Sequence, residues 1–250
     1  MKPLILLTND DGYFAEGILA LAINLKTAAE TVIVAPDREK SATSLSLTLR
    51  RPLRVETIKK DVFAVDGTPA DCIYLALKMI LPRTPDLIFS GINRGPNLGQ
   101  QDISYSGTVA AAIQGTFLKV PSVALSAVQG GYDLEVPAGF ALRLAKRLLR
   151  QGLPPGLTLN INFPPPPIKG IKITKLGEKR YDPEIFEKRD PRDNTYYWIG
   201  SGIPTPIGDR ASDVWAVSHG YVSVTPLHTD LTDYAALARP AWKKIFQGLV

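Results

Sequence analysis

The 250-residue chain is predicted to fold as an α/β protein: a mostly parallel sheet with helices on both faces, followed by a smaller β-rich C-terminal extension. Three observations predict this. Short apolar runs recur through the first two thirds, continuous rather than alternating, as strands buried on both faces are. Amphipathic segments of helical length separate them. After Phe163 the pattern breaks at Pro164 to Pro167, which can continue neither a ladder nor a helix, and polar, tyrosine-rich sequence follows.

Taken in order, Leu4 to Thr8 is an uninterrupted apolar strand, and Gly17 to Ala29 carries the spacing of a helix. Thr31 to Ala35 is β-branched and apolar. Leu53 to Thr57 and Val62 to Val65, separated by Lys59-Lys60, read as a hairpin attached to the sheet. Pro69 to Ile80 is a helix with Pro69 at an early position and Thr68 as its cap. Asp86 to Ser90, Ser122 to Ser126 and Leu157 to Asn162 are further strands, alternating with helices from Gly107 to Leu118 and Leu134 to Arg150. Beyond the prolines, "IKITK" and "GYVSVTPL" read as strands, with a terminal helix after them. The stretch from Gly177 to Ala211 has too few aliphatics for a core of its own and needs a partner surface. The division is therefore a core over residues 1–163 and an extension over 164–250 that is not an independent domain.

Composition narrows the function classes. With 45% hydrophobic and 21% charged residues the chain reads as a globular protein, and no apolar run approaches the ~20 residues of a membrane span. The N-terminus has no signal-peptide pattern, and Cys72 is the one cysteine, so neither an intrachain disulfide nor a cysteine zinc site is possible. A cytoplasmic location is expected. The net charge of +5 is spread over several segments, which suits an anionic substrate but not a duplex-binding stripe.

In an open parallel sheet, ligands bind beyond the carboxyl ends of the strands, so the loops that follow the strands matter most. After the first strand comes Asn9-Asp10-Asp11-Gly12; after the second, "PDREKSATS" (36–44); after the third core strand, "GINRGPNLGQQDISYSGT" (91–108). Asp10 and Asp11 can reach one point only where the chain leaves the strand, which Gly12 permits. Two readings fit: an acidic Asp-Gly turn capping the next helix, or a pair of acids whose repulsion a dication relieves. Ser41 and Asn93, arriving from the other two loops, add a hydroxyl and an amide oxygen. That set suits a hard ion such as Mg²⁺, Mn²⁺ or Ca²⁺. Ser106, Gly107 and Thr108 sit at a predicted helix start, where they either cap the helix or cradle a phosphate. Asp37, Arg38 and Lys40 either orient a charged substrate or form surface ion pairs, and Gly67 to Cys72 are a candidate pocket wall. His219 and His228 are read as structural.

The runs "TNDDG", "VAPDREKSATS", "GTPADC", "SGINRGPNLG", "YSGTVAAA" and "GYVSVTPLHTDLT" resemble, in order and spacing, those of the SurE (survival protein E) nucleotidases, also described as acid phosphatases. They extend from Asn9 to about Thr232, nearly the whole chain. The resemblance implies a Rossmann-like α/β domain and a metal-dependent phosphomonoesterase for nucleoside 5′- and 3′-monophosphates, with polyphosphate trimmed by some members. It implies one divalent ion per subunit, typically Mg²⁺ or Mn²⁺, on Asp10, Asp11, Ser41 and Asn93, with the two aspartates catalytic. Asn97, Ser106, Gly107 and Thr108 fall where members contact phosphate. The extension is implied to join subunits into a homodimer or homotetramer. Leu45 and Tyr105 replace an Asn and a His found in relatives, which bears on substrate preference.

On this reading a divalent ion activates a water and donors at Asn97 and Ser106 to Thr108 hold the phosphate. The adjacent acids, rather than a D-x-D pair, favour water over aspartate as nucleophile. The rivals are a nucleotide sensor without turnover and a short-RNA or polyphosphate binder that stacks bases on Tyr196, Tyr197 and Trp198.

Overall fold

In the computed structural model of the protein, the described residues are 2–128, 133–200, 202, 205–207 and 209–249. Met1 and residues 129–132 of the predicted core, and Ser201, Ile203, Pro204, Gly208 and Val250 of the predicted extension, lie outside them. The chain runs β1 (Leu4–Thr8), α1 (Glu16–Leu25), β2 (Glu30–Pro36), β3 (Val55–Lys59), β4 (Val62–Val65), α2 (Pro69–Leu75) with a π-helical turn over Ala76–Ile80, and β5 (Leu87–Arg94). It continues α3 (Gly99–Tyr105), α4 (Gly107–Phe117), β6 (Ser122–Ala127), α5 (Glu135–Gln151), β7 (Leu157–Phe163) and β8 (Gly170–Ile173). Last come β9 (Glu178–Arg180), β10 (Ile185–Arg189), β11 (Thr195–Ile199), β12 (Thr205–Ile207), α6 (Asp213–Ser218), β13 (Tyr221–His228), α7 (Tyr234–Leu237) and α8 (Ala241–Phe246).

The main sheet has the order β3-β4-β2-β1-β5-β6-β7-β13-β8. From β4 to β7 every pair is parallel; β3 joins β4 antiparallel as the predicted hairpin, and β13 joins β7 antiparallel. Alternation along β1 divides the core. Ile5 and Leu7 pack on one face with Ile18, Leu21 and Leu25 of α1 and Ala138, Ala141 and Ala145 of α5. Leu4 and Leu6 pack on the other with Cys72 and Ile73 of α2 and Ala111 of α4. Each fully buried aliphatic contributes about 1.5–3 kcal/mol, so both faces are firmly covered.

Local chemistry explains the boundaries. α2 begins as expected: Thr68 accepts the Asp71 N–H at 3.1 Å, and the Asp71 carboxylate accepts the Thr68 N–H at 2.9 Å. That reciprocal pair is a capping box. α1 stops at Leu25, short of the expected Ala29, and the Thr27 hydroxyl satisfies the Asn24 carbonyl at 2.8 Å. Two expectations are corrected. β5 does not end at Ser90: its register shifts between Ser90 and Asn93, and it re-pairs with β6 at Asn93–Ser126 and Arg94–Ala127. The loop after it contains α3, seven residues whose one large aliphatic, Ile103, gave no periodicity. In the extension, β8 and β13 extend the main sheet, while β10 pairs with β11 and β9 with β12 in small antiparallel ribbons.

Candidate functional site

The site starts with a buried asparagine. Asn9, fully buried at the end of β1, donates from Nδ2 to the Gly12 carbonyl at 2.8 Å and accepts the Gly12 N–H at 3.2 Å. Gly12 takes φ +104°, a conformation costly for any residue with a Cβ. This turn brings Asp10 and Asp11 to the edge of one cavity. The Asp10 carbonyl accepts the Lys40 N–H at 2.7 Å, tying the loop after β2 to the same turn.

α4 meets the acids end-on. The Ser106 hydroxyl caps it by accepting the Val109 N–H at 3.1 Å. The Thr108 hydroxyl donates to Asp10 Oδ1. A Cβ on Gly107 would stand 2.8 Å from the Asp10 Cβ, so the helix can approach this closely only because residue 107 has none. Of the three residues at this helix start, Ser106 lines the cavity, Gly107 packs on Asp10, and Thr108 is fully buried on the Asp10 carboxylate.

Burial raises the Asp10 carboxyl pKa, against the lowering effect of the Thr108 hydrogen bond. Asp11 is pushed up to about 6, mainly by burial and then by the charges of Asp10 and Glu39; Arg94 opposes the shift. In both, exclusion of water is what chiefly disfavours the ionised form. The cavity that Asp10 and Asp11 line, about 1100 Å³, is also lined by Ser41 and Asn93. The Ser41 hydroxyl donates to Glu39 Oε1 at 2.7 Å, leaving its lone pairs for another partner. Asn93 donates one Nδ2 hydrogen to the Gly95 carbonyl at 2.9 Å, which orients its amide group, and its carbonyl oxygen is the acceptor. Two adjacent carboxylates with hydroxyl and amide oxygens fit a hard divalent cation. Among the described residues there is no cluster of three or more His, Cys, Asp or Glu side chains arranged for a metal. A site here therefore depends on the neutral oxygens.

The cavity wall continues along the loop after β5. Asn97 is 7% exposed, and its Nδ2 donates to the Ser126 hydroxyl at 2.8 Å. The next two amides are occupied: Leu98 N–H by Asp102 at 3.1 Å and Gly99 N–H by the fully buried Asp213 at 2.9 Å. Asp213 belongs to the extension and also accepts the Gly177 N–H at 2.7 Å. Asp102 accepts the Tyr181 hydroxyl at 2.5 Å and is ion-paired to Lys179. Through these contacts Tyr181, Pro183, Ile199 and Gly200 form the far wall of the cavity.

The three loops singled out in the sequence therefore do share one cavity. Glu39 and Arg94 line it too, and sequence reasoning missed both; their positions inside "REKS" and "INRG" were the available signal. Asp37 and Arg38 instead pair with each other at 3.3 Å, and neither they nor Gly67 to Cys72 are among the cavity's lining residues. His219 stacks on Trp215 with ring centroids 3.9 Å apart, and His228 Nδ1 accepts the Asp230 N–H at 3.0 Å. Neither lines the cavity.

Residues 5–183 match the protein-family model described as Survival protein SurE. The chain is 46% identical over 239 residues to the 5′-nucleotidase SurE of Geobacter sulfurreducens (strain ATCC 51573 / DSM 12127 / PCA), covering 94% of this chain and 91% of that one. It is 49% identical over 245 residues to the protein of the same name from Pelotomaculum thermopropionicum (strain DSM 13744 / JCM 10971 / SI), covering 94% and 93%. Among solved structures, the SurE protein from Aquifex aeolicus superposes with a TM-score of 0.84 at 43% identity, covering 97% of this chain and 99% of that one.

Proposed function

The chain belongs to the SurE family, and from that premise we propose that it is a metal-dependent 5′-nucleotidase that hydrolyses nucleoside monophosphates to nucleoside and phosphate. The carrying observation is that the carboxylates of Asp10 and Asp11 and the neutral oxygens of Ser41 and Asn93 line one cavity. These four would hold one Mg²⁺ or Mn²⁺ ion, Ca²⁺ being compatible with the same oxygens. Held by these four residues, such an ion would supply Lewis acidity toward the phosphoryl group and toward a water.

The chain's own residues supply the rest. Asn97 has one amide hydrogen on Ser126 and a second for a phosphoryl oxygen. Ser106 accepts a helix N–H and keeps its own hydroxyl proton to donate. Arg94, ion-paired to Glu16 at the rim, adds positive charge. Water attacks phosphorus, the P–O bond to the nucleoside breaks, and a proton passes to the departing oxygen. Donors already in place where negative charge accumulates are what lower the barrier. A cavity of about 1100 Å³ is far larger than a phosphate needs, and its far wall of Tyr181, Pro183 and Ile199 suits a nucleoside. The same openness extends the proposal to 3′-monophosphates and short polyphosphate.

Residues 1–163 carry the chemistry, and 164–250 complete the sheet and the cavity wall. The extension also joins protomers: Phe186, Tyr196 and Trp198 share one face of the β10–β11 ribbon and are all exposed, an apolar surface that a second copy would cover. We place the enzyme in the cytoplasm, a setting compatible with its single free cysteine, Cys72.

Phosphate release from a panel of 5′- and 3′-nucleoside monophosphates, with Mg²⁺, Mn²⁺ or EDTA and beside Asp11→Asn, tests the reading. Turnover that needs metal and falls at least about 100-fold in the variant, ~2.7 kcal/mol of barrier, is expected. Nucleotide binding without release under every condition would make the protein a sensor instead.

A further inference from the structure

We propose that Asn162, assisted by Asn160, is a positioning residue for phosphate recognition and acts through Asn97; this rests on the nucleotidase reading above. β7 lies inside the sheet between β6 and β13. Its residues Ile161 and Phe163 pack in the apolar cluster under α5, with Leu159 against them. Thr158, Asn160 and Asn162 point to the other face and are all fully buried. Apolar side chains there would serve the fold without desolvating an amide. Thr158 has a local partner, the Thr116 hydroxyl at 2.6 Å. The two asparagines converge instead on one loop residue.

Asn162 Oδ1 accepts the Asn97 N–H at 2.8 Å, and its Nδ2 donates to the Asn97 carbonyl at 3.0 Å. Asn160 Nδ2 donates to that carbonyl at 2.9 Å. The planar amide of Asn162 thus grips both backbone groups of Asn97, and the Ser126 hydroxyl fixes the Asn97 side chain. Among the described residues, Asn160 Oδ1 is buried without a hydrogen-bond partner.

The neighbouring amides explain why this precision matters. The N–H groups of Asn97, Leu98 and Gly99 are taken by Asn162, Asp102 and Asp213. Three successive amides that could have formed an anion nest are all committed elsewhere. What this stretch offers a phosphate is the Asn97 side chain, and the asparagines of β7 hold the backbone from which it projects.

The test is a double-mutant cycle on the full chain with Mg²⁺: Asn97→Ala, Asn162→Ala and the pair together. It reads kcat/KM for a nucleoside monophosphate and the affinity for inorganic phosphate by calorimetry. Asn162→Ala is expected to lower both by roughly tenfold through misplacement of Asn97, with Mg²⁺ affinity unchanged. The double variant is expected to match Asn97→Ala, since no amide remains to be positioned. Additive losses, unchanged phosphate affinity in Asn162→Ala, or no phosphate binding by the parent chain would each overturn the inference. If Asn162→Ala does not fold, Asn160→Ala, which removes a single bond, enters the same cycle. A parent chain that binds phosphate but releases none from nucleotides sinks the nucleotidase reading alone, and the affinities still decide the positioning role.

Discussion

The Thr108 hydroxyl donates to the Asp10 carboxylate across 98 positions of sequence. Both groups are buried, so this contact fixes one of the two acids and orients its free oxygen. Thr108→Val keeps the shape and removes the donor. A hydrogen bond to a charged group is worth about 1.5–3 kcal/mol, so kcat/KM should fall about tenfold or more. Steady-state phosphate release from a nucleoside monophosphate decides it; full activity in Thr108→Val would separate this hydroxyl from the chemistry.

Gly107→Ala sets two effects against each other. Alanine is the better helix former, though at this first helical position by less than the ~1 kcal/mol of a helix interior. Its Cβ would stand 2.8 Å from the Asp10 Cβ and 2.9 Å from Oδ2, so the carboxylate must move. The expected outcome is a kcat lowered about 100-fold by the displaced acid, while the melting temperature changes by only a few degrees. Loss of stability without loss of kcat per folded molecule would contradict this.

Metal should stabilise the protein in proportion to its occupancy. A hundredfold excess of Mg²⁺ or Mn²⁺ over its Kd adds about 2.7 kcal/mol, which for a chain of this size raises Tm by about 5 °C or more. Scanning calorimetry with and without EDTA measures the shift. Asp11→Asn should abolish most of it; an undiminished shift would place the ion elsewhere.

Asp86 supplies a stability effect away from the cavity. It accepts the Leu4 N–H at 2.7 Å and pairs with Arg83 at 2.9 Å. The Leu4 hydrogen bond, with help from Arg83, holds its carboxyl below the ordinary value of 3.8. A depressed folded value means stability that is complete above the unfolded value and lost as pH falls through the folded one. The gap in urea midpoint between parent and Asp86→Asn should be constant from neutral pH down to about 5, then narrow below about 4. A gap that widens in acid would reverse the sign.

Lys179 and Asp102 are ion-paired with side chains 8% and 10% exposed. Removing one partner of a buried pair costs about 3 kcal/mol or more, because the other charge stays behind. Lys179→Met should lower the urea midpoint accordingly and raise KM, since Tyr181 shares Asp102. An unchanged midpoint would assign the pair no structural weight.

The sheet was legible because its signals are local: the apolar continuity of Leu4 to Leu7, the polar break at Lys59-Lys60 beside the true β3–β4 turn, Lys60-Asp61, and the capping of α2 by Thr68 all lie within a few residues. The acids of the site were legible for the same reason, as two carboxylates at a strand end. α3 was not, since seven residues with little apolar content carry no period. The supports of the loop after β5 were hidden too. Asp213 reaches Gly99 across 114 positions and Asn162 reaches Asn97 across 65, and neither residue sits in a motif that announces its partner. The Asp10 approach was half visible: "SGT" suggested a cap, and the cap is Ser106, but the Thr108 hydroxyl bonds a carboxylate 98 positions away, which no local pattern shows.

The position of β13 has a bearing on synthesis. This strand, Tyr221–His228, is the last of the sheet to leave the ribosome, yet it lies between β7 and β8 rather than at an edge. Asp213, which secures the loop carrying Asn97, emerges just before it. A chain cut short by a damaged message lacks both and leaves β7 as a bare edge. With β7 unpaired on that side and the Asn97 loop unsecured, such a fragment lacks two supports of the cavity wall, so the site depends on nearly the whole chain being present.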